Sequence, residues 1–274
     1  MPAGPQLLQD RKICHRLAKI GEDSREAKMI KVAVFGARGR MGEHVVGAVN
    51  AADDLELVAE IDADDDRSLA KGADVIVDFT VPSVVMGNIK WAIDEGIHIV
   101  VGTTGFDDEK LAQVRAWQGD EPKSNVLIAS NFSIAAVLMM HFAEKAAPFF
   151  ESVEIVELHH ENKVDAPSGT AATTARRIAA AREAAGCAPM PDATEKQLDG
   201  ARGAQVDGIH VHSVRLPGLF AHQEVILGND GETLTIRDDS FRRASYMPGV
   251  LTAVRAVRQR TGLTIGIDEL LGIS

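Results

Sequence analysis

From Lys31 onward, short runs rich in Val and Ile alternate with longer amphipathic segments. The runs are KVAVF, LELVAEI, VIVDF, HIVVG and NVLIAS. Strands of this length that alternate with helices are typical of βαβ units, in which parallel strands form a sheet buried on both faces. The pattern therefore predicts a doubly wound, Rossmann-like α/β domain, which we assign to residues 29–131.

After Asn131 the pattern changes. A long helix candidate, SIAAVLMMHFAEKAAPFF, precedes the strand-like run VEIVELHH, and a second helix is predicted from about Ser168 to Ala185. The runs GIHVHSVRL, AHQEVILG and ETLTIRD then follow one another too closely for crossover helices, which predicts antiparallel pairing. We therefore expect an α+β domain with a mixed sheet over residues 132–241. Pro248 to Arg260 is again helical, and residues 242–274 are predicted to pack back on the first domain.

Composition narrows the class of protein. The chain of 274 residues has a formal net charge of -11, which disfavours nucleic acid or an anionic membrane as a partner. No apolar run is long enough to span a bilayer, and Cys14 and Cys187 show no disulfide or metal spacing, so we expect a cytoplasmic protein. Residues 1–28 are interpreted as a flexible, dispensable extension; a short regulatory or partner-binding helix around Ile13 to Ile20 is the alternative.

A glycine-rich turn follows the first strand. The run VAVFGARGRMG places Gly36, Gly39 and Gly42 between a predicted strand and a predicted helix. Glycines there permit a tight turn and close backbone approach, so that a pyrophosphate can rest on the free N–H groups of the helix start. Asp62, at the end of the next strand, stands where a ribose-binding acid is expected. We predict dinucleotide binding; a purely structural turn is the alternative.

The same loop bears on the choice of cofactor. Asp62 would accept hydrogen bonds from the 2′-hydroxyl of an adenosine ribose, which favours NADH. Arg38 and Arg40 could counter the charge of a 2′-phosphate, which favours NADPH. The sequence therefore predicts the use of both NADH and NADPH.

Three further strands of the predicted sheet end in small or polar residues. These ends are Thr80, Gly102-Thr103-Thr104-Gly105 and Ser130-Asn131-Phe132. Ligands of open α/β sheets bind outside the carboxyl ends of the strands, so these ends predict a nicotinamide pocket. Ordinary turns with good helix N-caps are the alternative.

The stretch ELHHENKVDAPSGTAA, residues 157–172, concentrates groups that can do chemistry. Strand alternation predicts that His159 and His160 point to opposite sides, unless the strand ends between them. No helical HExxH spacing is present, so we predict no metal site. His210 and His212 share a face of a later strand and are expected to pack or to face solvent. His141 is expected to be a satisfied core residue.

The end of this stretch is suited to an anion. Ser168 is a plausible helix N-cap, and the free N–H groups of Gly169 and Thr170 could bind a carboxylate. Lys163 adds a positive charge, and a histidine can supply a proton near neutral pH. A reductase of an acidic substrate needs this combination, whereas the structural alternative is a capped helix preceded by solvated charges.

These motifs, with VGTTGF and ASNFSI, resemble those of the dihydrodipicolinate (4-hydroxy-tetrahydrodipicolinate) reductase family over Met29 to the C-terminus. The resemblance implies that His159 is the proton donor and Lys163 a second catalytic residue that also binds substrate. It also implies two sets of binding residues: for the carboxylates of a small cyclic dicarboxylate, His160, Ser168, Gly169 and Thr170; for the cofactor, Gly36, Ala37, Arg38, Gly39, Arg40, Met41, Asp62, Gly102, Thr103, Thr104, Ala129, Ser130, Asn131 and Phe132.

The resemblance further implies the reaction. Hydride transfer from NADH or NADPH to C4 of the ring, followed by protonation and with loss of water, yields tetrahydrodipicolinate in diaminopimelate and lysine biosynthesis. It implies a homotetramer built through the sheet of the second domain, with the C-terminal helix in the cofactor domain. A different amino-acid dehydrogenase would share only the glycine turn, and a non-catalytic dinucleotide-sensing protein would have no use for His159 and Lys163.

Overall fold

The computed structural model describes residues 29–273, so the predictions for residues 1–28 lie outside the described part of the chain. The first half alternates strands and helices: β1 Ile30–Phe35, α1 Gly42–Asn50, β2 Leu55–Ile61, β3 Val75–Asp78, α2 Pro82–Glu95, β4 His98–Val101, α3 Asp108–Gln118, β5 Val126–Ile128 and α4 Ile134–Ala146. The second half contains β6 Ser152–His159, α5 Gly169–Ala184, β7 Ala204–Val206, β8 Ile209–Arg215, β9 Ala221–Asn229, β10 Glu232–Ser240, α6 Met247–Val257 and β11 Leu263–Ile265.

The first sheet has six parallel strands in the order β2-β1-β3-β4-β5-β11. Side chains of β1 alternate between two hydrophobic clusters: Val32 and Val34 pack with α1 and α6, while Ala33 and Phe35 pack with α2 and α3. Both faces are therefore covered, which explains why the strands are continuous apolar runs. The predicted doubly wound sheet is confirmed.

The second sheet is mixed, with the strand order β10-β9-β6-β8-β7. Strands β6 and β8 run parallel and the other pairs antiparallel. Helices α4 and α5 pack against each other and against this sheet. The apolar residues Val153, Ile155 and Val225 of the sheet belong to the cluster that also contains α1 and α6, so one core runs through both sheets.

One prediction about this sheet is wrong. We expected three consecutive strands to pair antiparallel, and β9 and β10 do so, but β8 does not pair with β9. Strand β6 lies between them, because α5 and the connection after it return the chain parallel to β6 on its far edge. Strand β8 instead pairs with the unpredicted β7 through Asp207 (φ 49°) and Gly208 (φ 83°), an Asp-Gly turn typical of hairpins.

The C-terminal segment returns to the first sheet. Helix α6 packs on β4 and β5, as the helical pattern predicted, and β11 then adds to the sheet beside β5, with Leu263 paired to Val126. The strand itself was not predicted, because three residues give too short a pattern. The division into domains at residues 131 and 241 stays a prediction.

Candidate active site

The glycine turn joins β1 to α1 in a conformation that side chains would obstruct. Gly36 has φ +75°, and a Cβ there would lie 2.8 Å from the carbonyl oxygen of Phe79. A Cβ on Gly42 would lie 1.9 Å from the carbonyl oxygen of Gly36. Met41 precedes α1 without a side-chain cap, so the N–H groups of the first turn are not engaged by a capping side chain. This uncapped helix start behind a close-approaching loop fits the pyrophosphate of a dinucleotide.

Arg38 and the acids after β2 form one cluster beside this turn. Asp62 accepts a hydrogen bond from the backbone N–H of Arg38 at 2.8 Å, and the guanidinium lies 3.3 Å from Asp62 and 2.8 Å from Asp65. The backbone N–H of Asp62, followed by Arg38, lowers the pKa of Asp65. Arg38 is thus already paired with two carboxylates, whereas Arg40 is exposed and makes no ion pair with residues 29–273.

A buried carboxylate organises the loops after β3 and β4. Asp78 is fully buried and accepts hydrogen bonds from the hydroxyls of Thr80 (2.7 Å) and Thr103 (3.1 Å) and from the amide of Asn88 (2.7 Å). Thr103 and Ala129, two of the predicted cofactor residues, are buried and do not line the cavity described below, so their cofactor contacts stay a prediction. Sequence reasoning did not single out Asp78, although an acid that closes the apolar run VIVD was a usable signal.

A cavity of about 800 Å³ lies between the two sheets. Residues of the first sheet's loops and of the β6–α5 junction face each other across it. The predicted site residues among its lining are Met41, Gly102, Thr104, Ser130, Asn131, Phe132, His159, His160, Lys163, Ser168, Gly169 and Thr170.

The two adjacent histidines line the same cavity, the case that the sequence left open for a strand ending between them. Strand β6 ends at His159, so the alternation of a strand no longer governs His160. Within residues 29–273 no group of three or more His, Cys, Asp or Glu side chains is arranged to hold a metal ion.

Three other histidines named in the sequence, His141, His210 and His212, do not line this cavity. His210 bonds the carbonyl oxygen of Arg202 at 2.6 Å, and His212 bonds Glu154 at 2.6 Å. The side chain of His141 is only partly buried and makes no hydrogen bond within residues 29–273, so its expected role as a satisfied core residue is wrong.

Glu157 connects several elements behind the cavity. Its carboxylate is fully buried and lies 2.5 Å from Nδ1 of His159, accepts the backbone N–H of Ser168 at 3.1 Å, and receives both terminal nitrogens of Arg215 at 2.8 Å. Burial raises the pKa of Glu157, but hydrogen bonds from His159, Arg215 and Ser213 outweigh it and lower the pKa to about 2. Sequence reasoning missed this residue, although it occupies the inward position after Val153 and Ile155 in a period-two pattern.

The start of α5 has the capping predicted for it. The hydroxyl of Ser168 accepts the N–H of Ala171 at 3.1 Å, which confirms Ser168 as the N-cap. The hydroxyl of Thr170 accepts a hydrogen bond from Asn131 at 3.2 Å, so this helix start contacts a loop of the first sheet.

Lys163 has a carboxylate partner close by. Its Nζ lies 2.6 Å from Oδ1 of Asp165. Burial raises the pKa of Asp165, but the bond from Lys163 outweighs it, and the pKa is lowered. Arg176 and Arg243 also line the cavity, and sequence reasoning missed both. Lys163, Arg176 and Arg243 outnumber the one carboxylate in the lining, Asp165. The cavity therefore has a local excess of positive charge in an otherwise acidic chain, which suits a dianionic ligand.

A doubly wound sheet with a dinucleotide-type turn faces a histidine and several cationic side chains across one cavity. This arrangement defines a nicotinamide-dependent reductase of small anions. The family models of dihydrodipicolinate reductase match this chain, the N-terminal model over residues 30–132 and the C-terminal model over residues 135–271. The chain belongs to the dihydrodipicolinate reductase family and is an NAD(P)H-dependent oxidoreductase.

Relatives from other bacteria agree with this assignment. The chain is 65% identical over 245 residues to the 4-hydroxy-tetrahydrodipicolinate reductase of Cutibacterium acnes, with 89% of this chain and 100% of the relative covered. It is 63% identical over 246 residues to that of Thermobifida fusca, with the same coverage. A dipicolinate-bound dihydrodipicolinate reductase from Paenisporosarcina sp. TG-14 has 38% identity and a TM-score of 0.76, over 88% of this chain and 99% of that one. The family resemblance, the fold class and the cofactor class inferred from the sequence are confirmed.

Proposed function

We propose that this chain reduces 4-hydroxy-tetrahydrodipicolinate to tetrahydrodipicolinate with NADH or NADPH, in diaminopimelate and lysine biosynthesis. The observation that carries the proposal is the single cavity in which His159, Lys163 and the N-terminus of α5 face the loops of the dinucleotide-type sheet. The 65% identical relative is named for this reaction, and the 38% identical structure holds dipicolinate, a planar dicarboxylate of the same ring size.

The cofactor would be held by the first sheet. The glycine turn from Gly36 to Met41 would receive the pyrophosphate, Asp62 the adenosine ribose, and the loops Gly102–Thr104 and Ala129–Phe132 the nicotinamide half. Gly36 and Gly42 let backbone segments pack against each other at distances that a Cβ would not permit, and the resulting tight turn supports the fit. When bound, the reduced nicotinamide supplies the hydride that adds to C4 of the ring.

The substrate carboxylates would be bound by the segment that connects β6 to α5. The N–H groups of Gly169 and Thr170, the hydroxyl of Ser168 and the ring of His160 would receive one or both carboxylates at the positive end of α5. Lys163 would exchange Asp165 for a substrate carboxylate, because both anions compete for the same ammonium group. This exchange orients the ring toward the first sheet.

His159 would complete the reaction as the proton donor. Loss of the 4-hydroxyl together with a proton of the neighbouring ring carbon releases water and leaves the unsaturated ring. Hydride addition at C4 then leaves electron density on the adjacent ring carbon, to which the imidazole delivers one proton. Lys163 assists by holding positive charge beside the reacting ring. Both groups line the same cavity as Gly102 and Asn131, which supports a proton donor and a nicotinamide that act on one bound ring.

Both cofactors are proposed to be used. Asp62 would accept a ribose hydroxyl, while a 2′-phosphate would have to draw Arg38 from Asp62 and Asp65 or recruit the exposed Arg40. The ratio of kcat/KM for NADH over NADPH is expected to stay under about 100, or roughly 2.7 kcal/mol. A larger ratio would contradict dual use.

The remaining expectations concern assembly and location. We propose a homotetramer built through the second sheet, a cytoplasmic location, and domains over residues 29–131 with 242–274 and over 132–241. Val214, Leu216 and Leu234 on β8, the turn after it and β10 are exposed apolar side chains that an assembly would cover, which supports the tetramer. No helix within residues 29–273 has the length and apolar character to cross a membrane. Sedimentation at micromolar concentration tests the assembly.

One experiment tests the reaction directly. The oxidation of NADH or NADPH is followed by absorbance after addition of freshly made product of the preceding synthase. Turnover is expected with both cofactors. A flat trace with active synthase, together with measurable NADH binding, would favour the dinucleotide-sensing alternative and contradict the reductase.

A further inference from the structure

The proton donor His159 does not stand alone in the cavity wall. Its Nδ1 lies 2.5 Å from a carboxylate oxygen of Glu157, two residues earlier on the same face of β6. Glu157 is fully buried, whereas His159 lines the cavity. The two ring nitrogens of an imidazole point in different directions, so with Nδ1 on Glu157 the other nitrogen, Nε2, is left for the cavity side.

We propose that Glu157 is the positioning residue of this reductase: it keeps a proton on Nδ1 of His159, so that Nε2 is the nitrogen that gives the proton to substrate. The proposal rests on the proposed function of His159. In the step, the Nε2–H bond breaks and a C–H bond forms on the ring. The imidazolium becomes a neutral imidazole that retains its Nδ1–H on Glu157, and solvent returns the Nε2 proton after product leaves.

The partners of Glu157 keep its charge in place. Arg215 approaches the carboxylate with both terminal nitrogens, the bidentate arrangement that is the strongest of the common ion pairs. A buried carboxylate held in this way remains ionised and stays an acceptor for the Nδ1–H of the ring. Glu157 is therefore suited to hold a proton on His159 without taking it.

The same carboxylate fixes the proton donor relative to the substrate cradle. It accepts the N–H of Ser168, the N-cap of α5, and Arg215 also donates to the carbonyl oxygen of Asp165 at 2.7 Å. One group thus ties the end of β6, the start of α5 and the loop that carries Lys163. Loss of the carboxylate removes the hydrogen bonds that hold these three segments in position relative to one another.

The chain offers a matched control on the same strand. Glu154 of β6 also bonds a histidine, His212, and an arginine, Arg202, yet it lines a different cavity at the other end of the strand. Glu154→Gln and Glu157→Gln therefore remove the same charge from the same kind of partners on one strand. Only the second change touches the proton donor.

The test compares these two variants with the wild-type chain. For Glu157→Gln we expect kcat to fall by about 100-fold, the scale of general-acid catalysis, with KM for NADH within about twofold. We also expect the alkaline limb of the rate profile to move to lower pH, which loss of a merely structural contact would not cause. Glu154→Gln is expected to keep kcat and the profile within about twofold of wild type.

Proton NMR provides a readout that does not need turnover. The Nδ1–H of His159 is expected to give a far-downfield resonance in the wild-type chain and in Glu154→Gln, and to be missing from His159→Gln and Glu157→Gln. If Glu157→Gln does not fold, Glu157→Asp, which keeps the charge but shortens the reach, is expected to lower kcat with little change in thermal stability.

The outcomes separate this proposal from the proposed function. A wild-type chain that turns over substrate, with Glu157→Gln at more than a third of its kcat and an unchanged pH profile, would overturn the positioning role alone. An inactive wild-type chain would overturn the reductase, while absence of the downfield resonance would still contradict the Nδ1 contact.

Discussion

The buried carboxylate of Glu157 makes the stability of the fold depend on pH in a defined window. Its pKa is lowered from the ordinary 4.5 to about 2, so the folded state favours the ionised form. A depressed pKa contributes stability that is fully present above 4.5 and is lost as pH falls toward 2. The full contribution is on the order of 3 kcal/mol near pH 7, and about 2 kcal/mol of it is lost between pH 5 and pH 3.

Urea unfolding at pH 7, 5 and 3 measures this contribution. Wild type is expected to exceed Glu157→Gln by roughly 3 kcal/mol at pH 7 and at pH 5, since the glutamine cannot ionise and leaves Arg215 without its partner. At pH 3 the advantage should shrink to roughly 1 kcal/mol. Glu154→Gln provides the comparison for a carboxylate on the same strand that is partly exposed. An advantage of Glu157 that is equal at pH 3 and pH 7 would refute the reasoning, because the ionised carboxylate would then not be the stabilising species.

Three other changes give further predictions. Lys163→Ala should lower kcat/KM for the substrate by more than about tenfold with NADH binding preserved in a fluorescence titration; a loss within threefold, under about 0.7 kcal/mol, would contradict its assignment. Gly42→Ala should cost about 1–3 kcal/mol of unfolding free energy and weaken NADH binding, because its Cβ would meet the carbonyl oxygen of Gly36 at 1.9 Å; unchanged binding would show that the turn does not hold the cofactor. Burial, and after it the neighbouring Asp239, raises the pKa of Asp238, so ionisation of this carboxyl opposes folding. In thermal melts, Asp238→Asn should therefore gain stability relative to wild type as pH rises above about 4. A difference between the two chains that does not change with pH would refute this.

Local chemistry accounts for most of what the sequence predicted correctly. The alternating apolar runs, the glycine turn and the N-cap at Ser168 depend on residues within a few positions of one another, so their patterns are legible in the chain. The same locality explains why the direction of His160 stayed open in the sequence, since no local pattern shows that β6 ends at His159.

Non-local partners account for what the sequence left out. Strand β8 pairs with β6 rather than with its neighbour in sequence, a choice made by the path of the chain after α5. Glu157 can be recognised in the sequence as a charged residue at a position of β6 whose neighbours on the same face are buried and apolar. Its partner Arg215, however, lies 58 positions away in the sequence. Arg176 and Arg243 reach the cavity from a helix interior and a short turn, where arginine is ordinary, so nothing in their surroundings marks them.

Because β11 rejoins the first sheet, the chain passes between the two sheets twice, near Asn131 and again near Arg243. Both crossings border the same cavity. A ligand bound in this cavity contacts both segments that connect the sheets. Ligand binding and the distance between the sheets are therefore expected to depend on each other. Small-angle scattering should therefore record a narrower spread of shapes when a tight dicarboxylate and a nicotinamide dinucleotide are added together than when either is added alone.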